Sequence, residues 1–474
     1  MGEVKTYVPR VDISTLNEDQ KKAFEKLRDY IVDKDNDDIY VLKGWAGTGK
    51  TYCVSLLVRF ILEVVHPNKK WYKVAVTGPT NKSVRVIKKT AGIKNPRVTF
   101  QTIHKMLGLT ERITSDGKQE FVNQGDFIPP INTMKLLIID EVSMLNDDLF
   151  HEIIKYRDQL KIICMGDPAQ IPPVGKPDCI PFREEFTEMY GIKTVELKKI
   201  MRQKEGNPII ETSVQIRSDL ENPSIQLDNK TRTNEKGEGI EYVNLNGDNV
   251  KKEFNTNLEK YFKSKEFEEN PEYTKIIAWR NKTVSTMNFL VRRIIYGEEA
   301  IENKILIGEK LIANNPIIES EQIIFNTNDE FSVDAFEVKE NRMKVEGIEA
   351  SLKYYETLVS YLDDEDKKIS IYIDILHEDS EMDFQRIANT LKRIAIEKKG
   401  KDRSWIRYYD FLRKYADVSY AYAITAHKSQ GSTYEYTFVL DDDINMNTNV
   451  VERNRIKYTA YTRSSKKLYV LKRF

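Results

Sequence analysis

Cysteine is almost missing from this chain. Only Cys53, Cys164 and Cys179 occur in 474 residues, with no spacing that suits a disulfide framework or a thiolate metal site. That scarcity fits a reducing cytoplasm. Five histidines are scattered without an HExxH pattern, which removes the usual zinc-hydrolase reading. Net charge is also lacking, because 74 basic residues offset 74 acidic ones. Without a global basic field, any site for a polyanion has to be a local groove. Long apolar runs are absent too: the best one, VSLLVRFILEVV, is interrupted by Arg59 and Glu63. The first residues, MGEVKTYVPRVDIS, have no apolar core of the kind a secretion signal needs, so neither a membrane span nor secretion is expected. There is no internal repeat and no low-complexity tract. What remains is a globular composition, 40% hydrophobic and 31% charged, in a chain long enough for about two to four domains.

Against that background one segment stands out. The apolar run Ile39-Tyr40-Val41-Leu42 leads into GWAGTGKT, Gly44 to Thr51, and a helix-like stretch follows from Tyr52 to Val65. Strand, G-x-x-x-x-G-K-T and helix together form a phosphate-binding loop. Gly44, Gly47 and Gly49 let the backbone wrap a phosphate chain. Trp45, Ala46 and Thr48 contribute the intervening backbone, and the helix N-terminus adds positive potential. Lys50 is placed to reach the β- and γ-phosphates, and the Thr51 hydroxyl to sit on Mg²⁺. The chain is therefore expected to bind a nucleoside triphosphate, with ATP and Mg²⁺ as cofactors.

The partner such a loop needs lies downstream. LLIIDEVSM, Leu136 to Met144, delivers Asp140 and Glu141 at the C-terminal end of a buried strand, where α/β sheets place ligands. Asp140 is expected to hold Mg²⁺ through water, and Glu141 to act as general base toward the attacking water. IICMGDPAQIPPVG, Ile162 to Gly175, ends a third apolar strand in Gly166-Asp167 and brings in Gln170, placed to sense the γ-phosphate by hydrogen bonding.

The first ~200 residues alternate strand and helix as in a parallel sheet, with strands expected at Ile39–Leu42, Val74–Thr77, Leu136–Ile139, Ile162–Met165 and Thr194–Leu197. TERITSDGKQEFV interrupts this rhythm and reads as a β-hairpin turning at Ser115-Asp116-Gly117. A second α/β pattern begins near Gln203, with a helix in PIIETSVQIRSDL, strands in GIEYVNL and TKIIAWR, and a helix in NKTVSTMNFLVRRII. It resumes toward the end with SYAYAIT, YTFVLD, a helix over about 449–462 and KKLYVLK. Between these parts the chain is first β-rich and then charged and helical with aromatic punctuation. The helical part reads either as a solvated face or as a surface that contacts a partner or a strand.

The ordered series GWAGTGKT, VTGPTNKS, TFQTIHKML, LLIIDEVSM, GDPAQIPPVG, LKKIMRQ, AWRNKTVSTMN, AITAHKSQGSTY and YTAYTRSSKKLYV resembles the motif set of superfamily 1 helicases. It is most similar to the RecD-like class that moves 5′ to 3′, and within it to the compact Dda-like members. The resemblance covers nearly the whole chain. It implies an α/β fold of two RecA-like parallel-sheet lobes, a β-hairpin insertion in the first, and an SH3-like β-barrel with a helical extension in the second. The implied boundaries are 1–107 and 134–200 for the first lobe, 108–133 for the pin hairpin, 201–300 and 416–474 for the second lobe, and 301–415 for its insertion. Gln20 then matches the glutamine that reads adenine. Arg202 and Arg463 match the two arginines that approach the γ-phosphate. Thr80, Asn81, Thr102, His104, Thr425, His427, Lys428 and Ser429 match motifs that contact nucleic-acid backbone, although position 81 departs from the glycine or histidine often found there. Phe121 resembles the aromatic that braces the pin.

The activity so implied is an ATP-dependent DNA helicase, a cytoplasmic monomer working on single strands and duplex junctions. Single-strand-binding, replication or recombination proteins would be its partners. Two readings that keep the motor stay open on the sequence: a translocase that remodels nucleoprotein without unwinding, and an RNA-directed helicase. A non-enzymatic binding module would leave Lys50, Asp140, Glu141 and Arg463 without a purpose.

Overall fold

The computed structural model describes residues 11–33, 35–36, 38–123, 127–173, 175–200, 207–222, 227, 229–246, 248–319, 322–363 and 367–473. The chain divides into two compact units, each discontinuous in sequence. Unit 1 comprises Met1–Leu109, Asn123–Leu227 and Asn449–Thr462, and unit 2 comprises Thr110–Val122, Asp228–Thr448 and Arg463–Phe474.

Unit 1 is a mixed α/β body around a six-stranded parallel sheet, as a RecA-like lobe requires. Its strands run in the spatial order Val98–Thr102, Val74–Gly78, Leu136–Ile139, Lys161–Gly166, Ile39–Gly44 and Ile192–Leu197. The central strands are apolar along their length because both faces are covered: Leu136–Ile139 is buried at every position. One face packs against the helices Glu18–Val32 and Lys50–Phe60 through Phe24, Leu27, Leu57 and Ile138. On the other, Cys164 shares a core with Phe150, Ile153 and Cys179. Five strands fall where the sequence places them. The sixth, Val98–Thr102, lies at the sheet edge and is half-buried throughout, so it carries no apolar run to announce it. Tyr52–Val65, read as one helix, is an α-helix from Lys50 to Phe60 that widens into a π-helical turn at Ile61–Val65.

Unit 2 holds a second six-stranded sheet in the order Ala423–Thr425, Thr274–Ala278, Tyr434–Leu440, Ser464–Lys472, Gly239–Asn244 and Arg232–Thr233, with only the last pair antiparallel. A separate five-stranded antiparallel sheet is built on the long ribbon Glu330–Val345 and Ile348–Leu362. The ribbon turns at Glu346 and Gly347, with φ of 47° and 81°, the positive pair that a tight hairpin needs. The helices Glu381–Glu397 and Ser404–Leu412 pack on it through Leu352, Phe384, Ile387, Leu391, Phe411 and Tyr415. The expected hairpin is present as Leu109–Ile113 paired with Gln119–Asn123, and most of it clusters with unit 2.

Candidate nucleotide and nucleic-acid site

The phosphate loop leaves the strand Ile39–Gly44 at the C-terminal edge of the first sheet and enters the helix Lys50–Phe60. Two of its glycines are forced by the geometry. Gly49 is left-handed, with φ of +79°, and a Cβ there would fall 2.6 Å from Gln20 Nε2. A Cβ on Gly44 would fall 2.8 Å from the Thr48 hydroxyl oxygen. Lys50 Nζ donates to the carbonyls of Gly44 (2.6 Å) and Trp45 (3.1 Å). Thr48 is buried and donates its hydroxyl to Trp45 O at 2.9 Å. Thr51 opens the helix one residue after Lys50. Gln20 is buried against the loop: its Nε2 donates to Thr48 O at 2.9 Å, and its Oε1 accepts from Asn17 N at 3.1 Å. Its amide thus ties the first helix to the phosphate loop.

At the end of Leu136–Ile139, Asp140 N donates to Thr77 O, and the Asp140 carboxylate accepts from Glu141 N at 2.9 Å. Burial, followed by the adjoining Glu141 charge, pushes the Asp140 carboxyl up to about 7, against the pull of Lys50. Glu141 has φ of +51°, the only non-glycine positive φ among the described residues of unit 1. Such a backbone persists only where its surroundings over-determine it. On the neighbouring strand Asp167 is fully buried, and it accepts from Ala46 N and Ala169 N, each at 3.0 Å. Gln170 is buried as well, and its side-chain oxygen has no hydrogen-bond partner among the described residues.

Thr102 ends its strand, Thr80 lies two residues past the end of the adjacent parallel strand, and each caps the helix that follows. Thr80 accepts from Ser83 N at 3.1 Å, and Thr102 from Lys105 N at 3.4 Å. Asn81 is the first residue of the helix Asn81–Ala91. His104 is partly buried, and burial lowers its pKa, leaving the imidazole neutral at pH 7.

In unit 2 the TAHKSQG segment closes a tight turn. Thr425 Oγ1 accepts from Lys428 N at 3.2 Å, and the buried Ser429 hydroxyl donates to Ala426 O at 2.7 Å. Ser429 is therefore turned inward, while His427 and Lys428 are half-exposed. Lys428 Nζ donates to Asn314 Oδ1 at 3.0 Å, and burial lowers its pKa despite nearby Asp417. Arg463 is nearly buried, with NH1 donating to Ser432 O at 3.1 Å. Arg202 lies outside the described residues. Phe121 is 57% exposed on the second arm of the hairpin.

Comparisons with known proteins agree with this arrangement. Residues 15–235 match the AAA domain family, and residues 420–471 match the UvrD-like helicase C-terminal domain. An uncharacterised protein of Acanthamoeba polyphaga mimivirus is 27% identical over 95% of this chain and 99% of its own length. The ATP-dependent DNA helicase dda of Enterobacteria phage T4 is 24% identical over 90% of this chain and 92% of its own. These matches support a superfamily 1 helicase of the Pif1/Dda-like kind. Solved structures of similar outline include Pif1 helicase from Bacteroides in complex with ADP-AlF3 and ssDNA. It is 17% identical, has a TM-score of 0.45, and covers 94% of this chain and 91% of that one. Pif1 helicase from Candida albicans is 15% identical, with a TM-score of 0.47, covering 96% and 94%.

Three features of this chain escape a sequence reading. Asp443 accepts from the backbone N of Trp279 and Arg280, from Arg280 Nε at 2.6 Å and from the Thr283 hydroxyl at 2.6 Å, securing the start of the helix Asn281–Tyr296. Within unit 1, the helix Val450–Tyr461 brings Tyr458 to Asp167 and Ala46. Finally, the hairpin docks on the charged helical stretch. Trp405 Nε1 donates to Ser115 O at 3.0 Å, the Tyr409 hydroxyl to Gly117 O at 2.7 Å, and Arg413 pairs with Glu111. The stretch thus contacts the hairpin of its own chain, a role that neither sequence reading named. The aromatic punctuation in SWIRYYDFLRK was the available signal.

Proposed function

We infer that Lys50, Thr51, Asp140, Glu141, Gln170, Arg202 and Arg463 hydrolyse ATP in this protein and that the energy drives 5′-to-3′ movement on single-stranded DNA. The protein is an ATP-dependent DNA helicase. Lys50 neutralises charge on the β- and γ-phosphates, and Glu141 takes the proton of the attacking water. The Gln170 amide oxygen, buried without a partner among the described residues, is a ready acceptor for that water. Arg202 and Arg463 supply guanidinium charge as the γ-phosphoryl departs. The Thr51 hydroxyl and the Asp140 carboxylate are hard oxygen donors of the kind Mg²⁺ prefers, and the raised Asp140 pKa marks a buried acid whose charge a cation would stabilise. Held by Thr51 and Asp140, Mg²⁺ would neutralise negative charge developing on the phosphates. Among the described residues no cluster of three or more acidic, histidine or cysteine side chains could hold a metal. That suits an ion held largely by phosphates and water.

Gln20 selects adenine by exchanging one of its present bonds for the base edge. Thr80, Asn81, Thr102, His104, Thr425, His427 and Lys428 grip the strand through its backbone. Hydroxyls, an imidazole and one ammonium suit phosphates and read no base. Ser429 contributes by holding the turn that presents Lys428. The hairpin, with Phe121 exposed on it, acts as the pin that splits the duplex. The antiparallel sheet over 310–376 is the SH3-like element of the second lobe. Alternating grip by the two lobes moves the motor, as two states exchange with each nucleotide turnover.

The observation that carries this reading is Glu141 held at positive φ beside the buried Asp140, at the edge that bears the phosphate loop. Glu141→Gln tests it: nucleotide should still bind while turnover falls by roughly 10²-fold or more. Near-normal turnover would remove Glu141 as the base.

A further inference from the structure

One peptide group in the phosphate loop is held from both sides. Its carbonyl, Trp45 O, accepts from Lys50 Nζ at 3.1 Å and from the Thr48 hydroxyl at 2.9 Å. Its N–H, on Ala46, points the other way and donates to Asp167 Oδ2 at 3.0 Å and to the Tyr458 hydroxyl oxygen at 3.3 Å. The Tyr458 hydroxyl itself donates to Asp167 Oδ2 at 2.6 Å. Beside it, the Arg217 guanidinium carbon lies 3.0 Å from the centroid of the Trp45 ring. The phenol thereby uses its one donor on Asp167 and accepts from the Ala46 N–H. Tyr458 is almost completely buried, and burial with the Asp167 charge raises its pKa, so it remains a donor.

The helix carrying Tyr458 is itself anchored in unit 1. Asn454 Nδ2 donates to Leu220 O and Asn222 O, and Arg455 donates to Pro177 O and pairs with Asp178 at 2.9 Å. Tyr458 is thus delivered by a fixed element and aimed at a peptide plane whose far side seats Lys50. Rotation of that plane would move one of the two carbonyls that accept from the Lys50 ammonium, the other being Gly44 O.

We propose that Tyr458 is a positioning residue for ATP hydrolysis, acting through Asp167 and the Ala46 amide to set the peptide on which Lys50 rests. The proposal rests on the assignment of Gly44–Thr51 as the triphosphate site. It adds to that assignment a second control over Lys50, on a helix that leads in sequence to Arg463 five residues later.

Tyr458→Phe removes the hydroxyl and keeps the ring. Asp167 retains both backbone donors, so the fold should persist. Single-stranded-DNA-stimulated kcat should fall about tenfold or more, the scale on which misplaced reacting groups lower rates. The KM for ATP and the Kd for ADP should move less than about threefold, and the melting midpoint should hold. Asp167→Asn should lower kcat similarly, and the double variant should be no slower than Asp167→Asn alone, since both act on one peptide. The proposal is overturned if Tyr458→Phe keeps kcat within about twofold of the parent, if the two penalties multiply, or if melting falls while turnover per folded molecule is unchanged. Lys50→Ala, measured alongside, separates the two levels. If Lys50→Ala is inactive and Tyr458→Phe is fully active, only the role of Tyr458 fails; if Lys50→Ala turns over ATP, the triphosphate-site assignment itself is wrong.

Discussion

Trp405→Ala should uncouple DNA unwinding from ATP hydrolysis. A two-stranded hairpin is at best marginally stable in water, so the hairpin at 109–123 depends on what it leans against. Trp405 is only 8% exposed, and its indole lies so close under the turn that a Cβ on Gly117 would fall 2.6 Å from the ring. Truncating a buried Trp costs about 3–5 kcal/mol in a core, and part of this indole packs within its own helical segment. About 3 kcal/mol of hairpin docking, with the bond to Ser115 O included, is therefore at stake, a shift of roughly 10²-fold in the docked population. Tyr409→Phe removes one bond and should cost about 1 kcal/mol. Hydrogen exchange of 109–123 should rise strongly in Trp405→Ala and modestly in Tyr409→Phe. Unwinding of a forked duplex should fall about tenfold or more in Trp405→Ala, while single-stranded-DNA-stimulated ATPase stays within about twofold. Unchanged exchange would show that these contacts do not hold the hairpin. Raised exchange with unchanged unwinding would show that the hairpin is not the wedge.

Further outcomes can be measured separately. Arg463→Ala should lower turnover on the order of 10³-fold while leaving ADP binding nearly unchanged; equal weakening of ADP and ATP binding with normal turnover would make it structural. Asp443 is pushed up by burial, but the bonds from Thr283, Arg280 and Trp279 outweigh this and hold its carboxyl below the usual range. Its stabilisation is therefore present above the unfolded carboxyl pKa of about 3.9 and is lost as pH falls through the lower folded value. Asp443→Asn should cost about 2–3 kcal/mol at neutral pH, with the gap to the parent closing in acid melts. A gap independent of pH would contradict the charge-based account of that cap.

The placement of the proposed nucleotide-site residues was legible in the sequence because their pattern is local. Gly44 to Thr51, Asp140-Glu141 and Gln170 each follow an apolar strand that fixes which sheet edge they reach. The hairpin turn at Ser115-Asp116-Gly117 was legible for the same reason, since Gly117 adopts φ of +83°. Features that depend on distant contacts were not. The Ser115–Trp405 bond spans 290 positions and the Tyr458–Asp167 bond spans 291, beyond the reach of any periodicity. Val98–Thr102 escaped because an edge strand need not be apolar. The long ribbon from Glu330 to Leu362 lay in a stretch legible only as β-rich, because its turn rests on Glu346 at positive φ rather than on an Asn-Gly or Asp-Gly pair. Ser429 illustrates the remaining gap: a motif assigns it to the strand-binding turn, whereas its burial gives it the task of shaping that turn.

The most direct test of the helicase reading is unwinding of two matched duplexes, one bearing only a 5′ single-stranded tail and one only a 3′ tail, with ATP and Mg²⁺ and with Lys50→Ala as the blank. The 5′-tailed duplex should open, while the 3′-tailed duplex and every Lys50→Ala reaction should not. Opening of the 3′-tailed duplex alone, or DNA-stimulated hydrolysis without separation of either duplex, would contradict it.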